Sequence, residues 1–190
     1  MDLEPLLRSH PAIRSVELIG SRGRGDANEL SDWDYAVDAS EFDAVARDLP
    51  RLVAPLDPLA EQWDPLAELP TYMLMLPGPT KVDLLFVHET WQKRPPWGPS
   101  RKTLPAIDAH FWDWLLWLAQ KRRRGKDELV REELVKLHGY LLGPMGVLRP
   151  PRDLEGAVHA YLEARGRLEE IYGIKVPRAL EEAVRPVLAS

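Results

Sequence analysis

Two short apolar runs, each bounded by a polar break, constrain the fold of this chain more than any other feature. Val16-Glu17-Leu18-Ile19 stops at Gly20-Ser21, and ten residues later Asp32-Trp33-Asp34 opens the run Tyr35-Ala36-Val37. An apolar run ending in Gly-Ser reads as a strand that breaks into a tight turn. Residues two apart on a strand point to the same side. A strand beginning at or before Asp32 therefore sets Asp32 and Asp34 on one face. Two neighbouring carboxylates repel unless a positive charge lies between them. Magnesium, which takes oxygen ligands and substrate phosphates, is the usual partner. A third acid, Asp83, stands inside Thr80-Lys81-Val82-Asp83-Leu84-Leu85-Phe86-Val87. A lone Asp in such a run is costly to bury unpaired, and a neighbouring strand facing Asp32 and Asp34 would explain its presence.

Competing phosphate and nucleophile motifs fail on the same residues. Gly20 and Gly25 have the spacing of the first two P-loop glycines, but Asp26-Ala27 stands where Lys and Ser or Thr are needed. The run is not Gly-x-Gly-x-x-Gly, and Ser21 lacks the Gly-x-Ser-x-Gly frame of a hydrolase elbow. Gly20-Ser21, the ten-residue gap, Asp32-x-Asp34 and the strand-borne Asp83 together resemble the DNA polymerase β-type nucleotidyltransferase superfamily. Within it the chain is most similar to the small bacterial antibiotic nucleotidyltransferases, of the aminoglycoside and lincosamide type, and to the minimal nucleotidyltransferases. The likeness covers residues 12–90, and most of it rests on residues 20–34.

The resemblance implies magnesium-dependent transfer of a nucleoside monophosphate, AMP from ATP or another NMP from its NTP. The acceptor is a hydroxyl of a small molecule, an antibiotic among them, and pyrophosphate is released. In that scheme Gly20 and Ser21 hold the triphosphate, Asp32 and Asp34 hold Mg2+, and Asp83 is a third ligand or assists the attacking hydroxyl. Elementary chemistry agrees, because phosphoryl transfer needs positioning and charge neutralisation more than covalent help. Gly20, Gly23 and Gly25 let backbone N–H groups approach phosphate, and Arg22 and Arg24 add charge that matches phosphate geometry. The chain departs from the antibiotic enzymes in being shorter, and no motif places Glu89, Glu128 or Glu132 as a base. A second reading is a toxin–antitoxin or regulatory module of the same fold that modifies or binds a partner protein. A degenerate binding protein is a third, and the intact carboxylates argue against it.

Composition fits a soluble globular protein, with 190 residues, 45% hydrophobic and 29% charged. The absence of cysteine excludes disulfides and thiolate metal sites and suits the cytoplasm. Met1-Asp2-Leu3-Glu4-Pro5 has no signal-peptide character, and no run is apolar enough to span a bilayer. Net charge is uneven: residues 1–100 hold 9 Lys/Arg and 17 Asp/Glu, or −8, and the rest hold 16 and 13, or +3. An acidic catalytic half argues against nucleic acid as a partner and suits a cationic small substrate.

The pattern predicts an α+β fold: a mixed, mostly antiparallel sheet with helices on one face, then a helical bundle-like region. Residues 1–92 form the nucleotidyltransferase-like domain, 93–102 a Pro-rich linker and 103–190 the helical domain. Strands are expected at 15–20 and 33–39, a short one at 60–63, and a hairpin at 71–76 and 81–87. Helices are expected at 2–9, 41–49 (capped by Ser40, ended or interrupted by Pro50 and Pro55), 105–124, 126–142, 153–172 (capped by Asp153) and 178–189. The helix at 105–124 is apolar around much of its circumference. It is expected to pack on the sheet domain and wall a cleft for the acceptor.

Several conspicuous residues have ordinary explanations. The five histidines show no ligand spacing. Lys121-Arg122-Arg123-Arg124-Gly125-Lys126 reads as charge at a helix C-terminus, against a phosphate clamp. Arg131 and His138, with six residues between them, loosely resemble the Arg-x4-6-His signature of HEPN ribonucleases, a spacing any amphipathic helix can produce. The seven tryptophans are mainly core, with Trp33, Trp63 and Trp97 as candidates to stack a base or sugar.

Overall fold

The computed structural model describes residues 3–29, 31–91 and 98–189. The chain divides into two compact units, Met1–Arg94 and Pro95–Ser190. Trp97 and most of the Pro-rich stretch lie outside the described residues.

The first unit runs α1 (Leu3–Arg8), β1 (Ile13–Leu18), α2 (Gly20–Arg24), β2 (Trp33–Ala39), α3 (Phe42–Val53), β3 (Ala60–Trp63), β4 (Thr71–Leu76) and β5 (Thr80–Phe86). Its five strands form one sheet in the order β1-β2-β5-β4-β3. β2 and β5 are parallel, and every other pairing is antiparallel. The hairpin closes as expected, with Leu76 opposite Thr80 across Pro77-Gly78-Pro79. The α+β class with a mostly antiparallel sheet therefore holds.

Alternation along the strands sorts the two faces. Tyr35, Val37 and Ala39 of β2 and Val82, Leu84 and Phe86 of β5 are buried in one apolar cluster with Leu3 and Leu7 of α1 and Val45, Leu49 and Val53 of α3. The residues between them, Asp34, Ala36 and Asp38 on β2 and Lys81, Asp83 and Leu85 on β5, belong to the opposite face. The helices α1 and α3 thus cover one face of the sheet and leave the acidic residues on the other.

Two local expectations are corrected. Pro50 does not end α3, which continues to Val53. A proline inside a helix costs about 3 kcal/mol. Burying each of Val45, Leu49 and Val53, all fully inaccessible, returns roughly 1.5–3 kcal/mol. Their spacing of four keeps them on one stripe only if the helix continues. Ser40 does not cap α3 either. Its hydroxyl donates to Ala12 O at 3.2 Å and its N–H to the same oxygen at 2.8 Å, so it ties β2 to the start of β1.

The second unit consists of α4 (Leu104–Arg123), α5 (Asp127–Leu137) followed by one wide turn at His138–Leu142, α6 (Leu154–Tyr172) and α7 (Ala179–Ala189). Asp153 caps α6 as expected, accepting from Gly156 N at 2.7 Å. α4 is buried around most of its circumference, and α5, α6 and α7 pack against it within this unit. Its apolar surface therefore has partners in its own unit. The basic run also has a partner. Arg122 Nη2 donates to Leu188 O at 3.0 Å and Arg123 Nη2 to Val187 O at 3.1 Å, so the end of α4 satisfies the last carbonyls of α7.

A buried polar network crosses the bundle. Asp108 accepts hydrogen bonds from Tyr161 Oη, from Arg165 Nη1 at 2.9 Å and from Trp112 Nε1 at 3.3 Å. Arg165 Nη2 reaches Glu181 at 2.5 Å. Burial pushes the Asp108 carboxyl above the usual carboxylate range, against the opposing pull of these donors. His138 Nε2 donates to Val147 O at 2.8 Å, which makes it a brace for the wide turn. No described helix is long and apolar enough to cross a membrane.

Candidate functional site

The site is assembled at one end of β2 and β5. These strands are parallel neighbours, and their register sets Asp34 directly opposite Asp83. Cross-strand partners share a face, so the two carboxylates are adjacent on the side away from α1 and α3. The meeting of Asp34 with Asp83 is thus achieved by strand pairing, which no local pattern in either segment specifies.

Gly20 abuts this pair. It has φ +64°, the left-handed region that favours glycine, and a Cβ on it would overlap Asp34 Oδ2 and stand 3.0 Å from Asp34 Cγ. Asp34 O also accepts from Ile19 N at 2.8 Å. The glycine turn and the aspartate are therefore fitted to each other through both backbone and side chain. Gly23 has a second steric role, because a Cβ there would overlap Leu18 O and lift α2 off the end of β1. The turn expected after Gly20-Ser21 is a single helical turn, α2, closed by Gly25 at φ 77°. Ser21 lies on it, partly exposed.

Asp32 lies immediately ahead of β2. β2 starts at Trp33, so Asp32 precedes the strand, and strand alternation does not align it with Asp34. The loop before it is tightly built. Ser31 is buried, its hydroxyl accepts from Asn28 N at 2.8 Å and bonds Asn28 Oδ1 at 3.2 Å, and its N–H donates to Asn28 O at 3.0 Å. The Asn-Ser spacing of three is a local turn signal that the sequence reading did not use.

Both arginines next to the turn have protein partners. Arg22 Nε donates to Ser31 O at 2.9 Å, and its guanidinium lies 4.1 Å from the centre of the Trp33 ring. It ties α2 to the loop that carries Asp32. Arg24 is exposed and pairs loosely with Asp26 at 3.5 Å. Trp33 is therefore engaged by Arg22, and Trp63 belongs to an aromatic cluster with Phe42, Tyr72, Phe86 and Trp91.

Lys81 is the residue that sequence reasoning missed. It lies two positions before Asp83 on the same face, and its Nζ spans both carboxylate oxygens, at 3.0 Å from Oδ1 and 2.9 Å from Oδ2. Its side chain is only 9% exposed and that of Asp83 18%. The i, i+2 spacing of Lys81 and Asp83 was a usable signal, since strand periodicity alone puts them on one face.

Among the described residues, no three His, Cys, Asp or Glu side chains stand together as a ready metal cluster. The expected triad Asp32, Asp34 and Asp83 is thus not preassembled. The donor set still fits magnesium, which takes one or two carboxylates and completes its shell with water and substrate phosphate. Asp34 and Asp83 supply two carboxylates side by side, and Gly20 leaves the space next to Asp34 that a side chain would fill.

No protein-family model matches the chain, and no curated protein sequence matches it. Among solved structures, an aminoglycoside 6-adenyltransferase from Bacillus subtilis aligns over 100% of this chain and 96% of that one, at 12% identity and a TM-score of 0.34. A superposition that loose assigns neither fold nor activity, and the geometry of the site has to stand on its own.

Proposed function

We propose that the sheet unit is a nucleotidyltransferase that moves a nucleoside monophosphate, AMP from ATP or another NMP, onto a hydroxyl of a small molecule. The observation that carries this reading is the fit of the Gly20 turn against Asp34, with Asp83 in register beside it. A bare backbone turn next to two adjacent carboxylates is the arrangement needed to bring a triphosphate to a magnesium ion. Asp34 and Asp83 would hold the ion with Asp32 close by, and bound magnesium supplies neutralisation of the charge that builds on the phosphates.

The chain's own residues do the rest. The Gly20 backbone and the Ser21 hydroxyl contact the triphosphate and hold its α-phosphorus toward the carboxylates. The acceptor oxygen attacks that phosphorus and forms a new O–P bond. The bridging α–β P–O bond breaks, and pyrophosphate leaves with the electron pair. A carboxylate of the site, Asp83 in this reading, takes the hydroxyl proton. Arg22 acts indirectly, by fixing the Ser31 carbonyl and Trp33 next to the two aspartates of the loop and strand.

The Asp34 face supports a cationic acceptor. Glu17 on β1 is opposite Ala36, and Ser15 opposite Asp38, so Glu17 and Asp38 share the face of Asp34 and Asp83. An acidic face concentrates cations, which suits an aminoglycoside and a role in antibiotic resistance. The test is to incubate the full chain with each α-labelled NTP, magnesium, and separate pools of aminoglycosides, lincosamides, sugars and proteins. Magnesium-dependent transfer of label to a small-molecule pool with pyrophosphate release is the expected result. Label found only on protein would move the acceptor to a protein partner, and no transfer with any pool would remove the reading.

A further inference from the structure

Lys81 does something that neither the metal nor the phosphate contacts require. A surface lysine beside an aspartate usually touches one oxygen and is worth little. Lys81 instead lies across both oxygens of Asp83, at 3.0 and 2.9 Å, with its side chain 91% removed from solvent by the 9% exposure that remains. Register explains the burial. Met75 on β4 is opposite Lys81 and Met73 opposite Asp83, and both methionines are inaccessible. The pair thus has an apolar flank on one side, where charge interactions are stronger than in water. On the other side Asp34 stands opposite Asp83. The chain then continues back from Trp33 to Asp32 and from Val82 to Lys81, at the same end of the sheet.

The consequence is a site in which a cation belonging to the protein holds the oxygens that a metal would need. A divalent ion arriving alone meets an ammonium on both oxygens of Asp83 and is repelled by it. A triphosphate arriving at the Gly20 turn brings several negative charges within reach of the same end of the sheet, and so offers the ammonium a second acceptor. Moving Lys81 from carboxylate to phosphate frees Asp83 and keeps the charge balanced.

We propose that Lys81 is a positioning residue, a built-in counter-ion on Asp83 that makes the hold of the site on a divalent cation depend on the nucleotide. The proposal rests on the nucleotidyltransferase reading above. It adds that metal and nucleotide bind in a coupled way, with Lys81 as the coupling element.

The test is binding, measured on the full chain by the electron paramagnetic resonance signal of free Mn2+. Manganese is titrated alone, and then with an equimolar mixture of the four α,β-methylene nucleoside triphosphates. Without nucleotide, Lys81→Met should bind Mn2+ about 10-fold more tightly than the unaltered chain, the size expected when one like charge leaves a partly buried cation site. With the nucleotide mixture the difference should shrink toward parity. Lys81→Arg, which keeps the charge, should behave as the unaltered chain does. Circular dichroism checks folding. If Lys81→Met does not fold, Lys81→Gln gives the same comparison, since it loses the charge and keeps a hydrogen bond to Asp83. Equal Mn2+ affinity of the charged and uncharged variants without nucleotide overturns the Lys81 proposal and leaves the proposed function standing. Failure of every variant to bind Mn2+ under both conditions overturns both.

Discussion

Asp108 in the helical unit and Asp83 in the sheet unit each lie against a buried cation, Arg165 and Lys81 respectively. Around Asp108 the donors converge. Tyr161, Trp112 and Arg165 all donate to one carboxylate oxygen, Oδ1, and Arg165 extends to Glu181 from its other nitrogen. Asp83 has one flexible lysine across it, a second carboxylate in register, and a side chain that solvent still reaches. The first arrangement is closed by planar, rigid groups that cannot move without leaving charge unpaired. The second includes an ammonium, a point charge on a flexible stem, which can change partner. Burial of a charge is common to both, and what separates a brace from a reactive site is whether its counter-charge can leave.

The largest effect is expected in the brace. Arg165→Met leaves the Asp108 carboxylate and Glu181 without their shared cation and should cost about 3–5 kcal/mol in urea unfolding. A loss below about 1 kcal/mol would show that the network does not hold the bundle, and the contrast with Asp83 would lose its fixed end.

A smaller effect is expected at Glu169, also buried in the helical unit. Burial raises the pKa of this carboxyl, but Val176 N at 3.0 Å, Arg178 at 2.7 Å and Lys175 at 3.2 Å donate to it and leave it net below its ordinary 4.5. A carboxyl depressed by folding contributes stability that is present above its unfolded pKa and lost as pH falls through the lower folded value. Glu169→Gln should therefore be less stable than the unaltered chain by about 2 kcal/mol at pH 7. The gap should close in acid, below the ordinary carboxylate range. Asp108 works in the opposite sense, because its raised pKa favours the folded state as it takes up a proton. A gap at Glu169 that is constant with pH would place its contribution in packing instead of charge.

The legible and illegible parts of this molecule divide along the same line. Apolar runs bounded by turn residues gave β2, β4 and β5 and the hairpin; β2 and β5 alternate between a buried and a less buried face, whereas β4 is buried along its whole length. Asp34 and Asp83 could be picked out as acids in apolar runs. Their being opposite each other could not, since the parallel pairing of β2 with β5 depends on everything between them. Lys81 was passed over as a site residue because lysine in a strand ordinarily marks a solvated edge, although its i, i+2 spacing from Asp83 was legible. Pro50 misled for a similar reason: a local rule against proline was outweighed by the burial of Val45, Leu49 and Val53. The helix caps show both outcomes, with Asp153 in its expected place and Ser40 drawn instead to Ala12.

The smallest stability effect is expected where the largest functional one lies. Asp34→Asn removes one of two adjacent like charges, so stability should stay within about 1 kcal/mol of the unaltered chain or rise. Thermal unfolding checks this, and a large loss would make Asp34 a brace like Asp108.

The central claim is that Gly20, Asp34 and Asp83 form a metal-dependent triphosphate site, and calorimetric titration of the full chain with each non-hydrolysable NTP, with and without magnesium, tests it most directly. The account predicts that at least one NTP binds, that binding requires magnesium, and that Asp34→Asn abolishes it. Gly20→Ala should do the same, because the added methyl overlaps Asp34 Oδ2 and sits at φ +64°. Failure of all four nucleotides to bind, or unchanged binding in Asp34→Asn, would contradict it.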